Sequence, residues 1–142
     1  MEAFRRGLGE TAQDNSTAFG FSLTIGGTAL ILADLHGAPA VGEVFLLIGG
    51  AAAAMILISA ISTSGFRDDT AEALPERAQM RGSGLNFLSV GGGMLGAWGV
   101  AELLDGGVAW VVGGFVGILL YLFVESLEYA GTLAGDKEEG AG

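Results

Sequence analysis

Polar and charged residues in this chain fall into short segments, and between them lie four uncharged, mainly apolar runs: residues 15–33, 44–62, 82–101 and 106–124. Each run holds 19 or 20 residues. A helix rising about 1.5 Å per residue over that length spans a hydrocarbon layer roughly 30 Å thick. The pattern predicts an all-α, polytopic membrane protein, a four-transmembrane-helix bundle. Its expected parts are a cytoplasmic interfacial segment (1–14), a first transmembrane hairpin (15–62), a cytoplasmic loop (63–81), a second hairpin (82–130) and a disordered acidic tail (131–142). Within the loop, a short helix is expected to begin near Asp69 or Thr70, with Pro75 in its first turns.

The cations sharpen this picture. All six Lys and Arg residues, Arg5, Arg6, Arg67, Arg77, Arg81 and Lys137, lie outside the runs. Threading the chain through four crossings brings the N-terminus, the middle loop and the C-terminus to one side, and that side carries every one of them. The two intervening connections carry none. Short loops rich in Lys and Arg stay cytoplasmic, so the expected location is the cell membrane, multi-pass, with both termini inside.

The halves of the chain resemble each other. Ile25-Gly26-Gly27 recurs as Ile48-Gly49-Gly50, and Val90-Gly91-Gly92 recurs as Val112-Gly113-Gly114. Leu23-Thr24-Ile25-Gly26-Gly27 also matches Leu88-Ser89-Val90-Gly91-Gly92. Each half contains two crossings, an even number. Two parallel two-helix repeats, related by an axis along the membrane normal, are therefore expected.

Glycine is abundant, at 26 residues, and small residues at four-residue spacing let membrane helices approach closely. Gly26, Gly27, Gly49, Gly50, Gly92, Gly96, Gly113 and Gly117 are the expected helix-packing positions. Small residues on more than one face of the third run leave a surface for another copy, so a homo-oligomer is expected. Trp110 and Tyr129 are expected at the two membrane interfaces, and Trp98 against a glycine groove.

Composition mainly excludes. With 51% hydrophobic and 15% charged residues, the chain departs from soluble domains, where about 25% of residues are charged. A net charge of −10 argues against nucleic acid as a partner, because such binding needs clustered cations. The absence of cysteine rules out disulfides and thiol chemistry. One histidine, no P-loop and no Gly-x-Ser-x-Gly leave no basis for an enzyme, a resident metal or a cofactor.

The remaining chemistry is acidic and hydroxylic. Asp34, Glu43, Glu102 and Asp105 occupy the two hairpin connections, where repetition around an oligomer would make a ring that attracts cations. Ordinary polar flanking of membrane helices competes with that reading, and the helix dipole alone explains Glu43. Ser22, Thr24, Thr28, Asn86 and Ser89 are the candidate pore-lining residues. Hydroxyls in membrane helices otherwise bond back to the preceding turn. Glu125 and Glu128 are expected to reach water at the cytoplasmic end. The function expected from these features is a small oligomeric channel or pore preferring cations. The alternative is a non-transporting accessory or scaffold subunit, with the lipid bilayer and a membrane protein as partners.

Overall fold

The computed structural model describes residues 2–65 and 76–139, with side-chain surroundings for 18–61, 87–128 and 130–131. Four helices account for nearly all of the described residues: α1 (Glu2–His36), α2 (Val41–Gly65), α3 (Glu76–Leu103) and α4 (Gly106–Glu139). No strand occurs among the described residues. The expected helix near Asp69 lies outside them, as does Arg67.

Local chemistry explains where the helices stop. Gly37 follows α1 with φ of 88°, a left-handed conformation open to glycine because it has no Cβ. Its amide donates to the Ala33 carbonyl at 2.9 Å, closing the helix end, and Pro39 two residues on prevents continuation. At the start of α2, the Ala40 amide donates to Glu43 Oε2 at 2.8 Å. This is the backward half of a capping box. Only Leu104 and Asp105 separate α3 from α4, and Gly106, with φ of 63°, turns the chain into the last helix.

Three helices are long and apolar enough to cross a membrane, over Ala18–His36, Val41–Ile61 and Gly106–Glu128. The apolar part of α3 among the described residues is shorter, Phe87–Leu103. Alanines make up much of the interior beside a few large side chains, and many large apolar side chains face outward. Its buried residues include Ala51, Ala54, Ala97, Ala101 and Ala109, whereas Phe45 and Ile56 are each 70% exposed and Leu95 is 69% exposed. Apolar exposure on all four helices would be a liability in water but suits acyl chains.

Contacts give the direction of each helix. Gly27 meets Met94 and His36 meets Ala101, so α1 and α3 run parallel. Gly107 meets Leu46 and Gly50 meets Val111 and Phe115, so α2 and α4 also run parallel. Gly92 against Val124 and Gly96 against Val116 and Leu120 make α3 antiparallel to α4. Both connections therefore lie at one end of the bundle, and the starts of α1 and α3 lie at the other with the ends of α2 and α4. Helix α4 is central, packed along α2 and α3 and more lightly on α1. Helices α1 and α2 touch slightly, and α2 and α3 do not meet among the described residues.

Two aromatic expectations are corrected. Trp110 is 1% exposed and forms a core with Leu32, Leu47, Ala101 and Ala109, one or more residues from each helix. It plugs the connection end from within, clustered with two leucines and two alanines. Trp98, at 51% exposed, is on the outer surface. The tail also differs: α4 continues to Glu139, through most of the segment whose composition suggested disorder. Adding residues to a helix already nucleated requires only one further bond per residue, and Ala134, Lys137, Glu138 and Glu139 are good helix formers.

Candidate functional site

At the connection end, Asp34, Glu102 and Asp105 are exposed, whereas Glu43 is half-buried and occupied with the Ala40 amide. The structure thus gathers the four acids at one end but uses one as a helix cap. His36 joins the two connections. Its Nε2 lies 2.9 Å from the Ala101 carbonyl oxygen, and its Nδ1 lies 3.8 Å from Asp105 Oδ1. Among the described residues, no three carboxylate or imidazole groups converge as a metal site would require.

The candidate lining residues do not share one space. Ser22 is exposed, and its hydroxyl donates to the Ala18 carbonyl at 2.9 Å. Thr24, Thr28 and Ser89 are buried inside the single chain. Thr24 donates to the Gly20 carbonyl at 2.9 Å, the ordinary bond to the preceding turn. Thr28 Oγ1 is buried without a partner. It faces Gly117, where an added Cβ would come within 3.0 Å of it. The side chain of Asn86 lies outside the described residues.

The packing glycines divide by face. An added Cβ would strike Met94 at Gly27, Val111 at Gly50, Leu120 at Gly96, Leu32 at Gly113 and Thr28 at Gly117, with a closer-than-usual contact to Val124 at Gly92. At Gly26 and Gly49 it would meet nothing within 4 Å. The first glycine of each Ile-Gly-Gly motif thus faces outward and the second faces the bundle. Gly93 and Gly114, absent from the expected set, are also tight. An added Cβ at Gly93 would lie 2.6 Å from the Gly117 carbonyl oxygen, and one at Gly114 would fall on the Leu47 carbonyl oxygen.

One polar contact escaped the sequence entirely. Ser89 Oγ donates to Glu128 Oε2 at 3.0 Å, across the α3–α4 interface and 39 positions apart. Glu128 Oε1 is buried with no partner, and Glu125 is half-buried one turn earlier. Glu128 therefore turns into the bundle rather than simply reaching water. No local spacing could have signalled this, because the partner sits on another helix. A serine facing an acid at matched depth is visible only once α3 and α4 are known to be antiparallel.

By length and composition, the three apolar helices mark the chain as a membrane protein. Compared with known protein families, characterised proteins and solved structures, the chain matches none.

Proposed function

We propose that this chain is a four-crossing integral membrane protein that serves as a non-transporting component of a membrane assembly. The observation carrying this reading is the placement of its hydroxyls: Thr24, Thr28 and Ser89 are buried inside one copy, the exposed Ser22 hydroxyl is bonded to its own helix backbone, and the large exposed side chains are apolar. A path between copies would be lined largely by Leu, Ile and Phe. Outward-facing Gly26 and Gly49 offer close approach to another membrane helix, in a second copy or a different protein.

The fourth crossing is α3. It lies antiparallel along α4 from Ser89, beside Glu128, to Ala101 in the Trp110 core. The uncharged run extends from Phe87 back to Gly82 in the sequence, which lengthens the apolar stretch to a full span. The cytoplasmic side is then the end holding positions 5, 6, 77, 81 and 137. The chain arose from two parallel repeats. In support, Gly50 on Val111 and Gly114 on Leu47 are the same contact made twice, with partners offset by 64 positions. The remaining packing has since diverged, since α3 embraces α4 while α1 barely touches α2.

A second reading, a cation-preferring pore between copies, is favoured by the exposed Asp34, Glu102 and Asp105 at one end. Reconstitution separates the two. The purified protein alone in liposomes should pass no monovalent cation, while copurifying from native membranes with a fixed stoichiometry of another protein or of itself. Cation flux that falls when Asp34, Glu43, Glu102 and Asp105 are all neutralised would establish the pore instead.

A further inference from the structure

We draw no further inference here: the strongest candidate, the Ser89–Glu128 pair between α3 and α4 with its unpartnered Glu128 Oε1, brings together only one carboxylate and one hydroxyl, and nothing in the structure shows what cation or donor meets that oxygen.

Discussion

Gly50 and Gly114 occupy matching places on opposite sides of the α2–α4 crossing. A Cβ on Gly50 would fall on the Val111 carbonyl oxygen, and one on Gly114 would fall on the Leu47 carbonyl oxygen. The obstacle in both cases is backbone, which cannot rotate away as a side chain can. Gly50→Leu or Gly114→Leu should force the helices apart and cost at least about 1–3 kcal/mol, the usual range for overpacking. Gly49→Leu, one residue away and facing open space, should be tolerated. Size-exclusion profiles after heating in detergent would compare the three, and equal survival would contradict the crossing.

The two tryptophans offer a direct probe of the inside-out core. In a Trp110-only protein made with Trp98→Phe, fluorescence should resist quenching by lipids brominated on their acyl chains. In a Trp98-only protein it should be quenched strongly, since that ring is on the outer surface. Trp110→Ala should destabilise the bundle by about 3–5 kcal/mol through the cavity left behind, and Trp98→Ala by much less. Thermal unfolding in the same detergent measures both, and a reversed order would mean that Trp110 is not the plug.

Ser89 and Thr28 are both buried hydroxyls, yet their removal should have opposite consequences. Ser89→Ala leaves Glu128 without its described donor, and stranding a buried acceptor costs on the order of 1–3 kcal/mol. Thr28→Val replaces an unpartnered hydroxyl with a methyl of similar shape and should be neutral or stabilising. Melting curves of the two single variants decide the matter. A larger loss for Thr28→Val would show that its hydroxyl has a partner.

Neutralising the connection acids should separate a structural role from an electrostatic one. Glu43→Ala removes the bond to the Ala40 amide and should lower stability by about 1 kcal/mol, typical of a lost helix cap. Asp34→Asn should leave stability unchanged. Any loss of flux in a variant carrying Glu43→Ala must therefore be compared with its unfolding temperature before charge is credited.

Much of this architecture was written in the order of residues. The long uncharged runs announce helices of membrane length, Gly37 with Pro39 announces the end of α1, and every Lys and Arg falls outside those runs. These features are local, because hydropathy reports whether a segment belongs in oil or water, and turn chemistry acts over a few bonds. Tertiary structure alone decided which way each helix faces. In a bilayer the lipid and the protein core are equally apolar, so α2, apolar around its whole circumference, carries no mark of its inward side. For that reason Gly26 and Gly49 turned outward while Gly27 and Gly50 turned in, Trp110 went inside while Trp98 stayed out, and Ser89 met Glu128. Each outcome depends on which helices pack and at what depth, and that is a property of the assembled bundle.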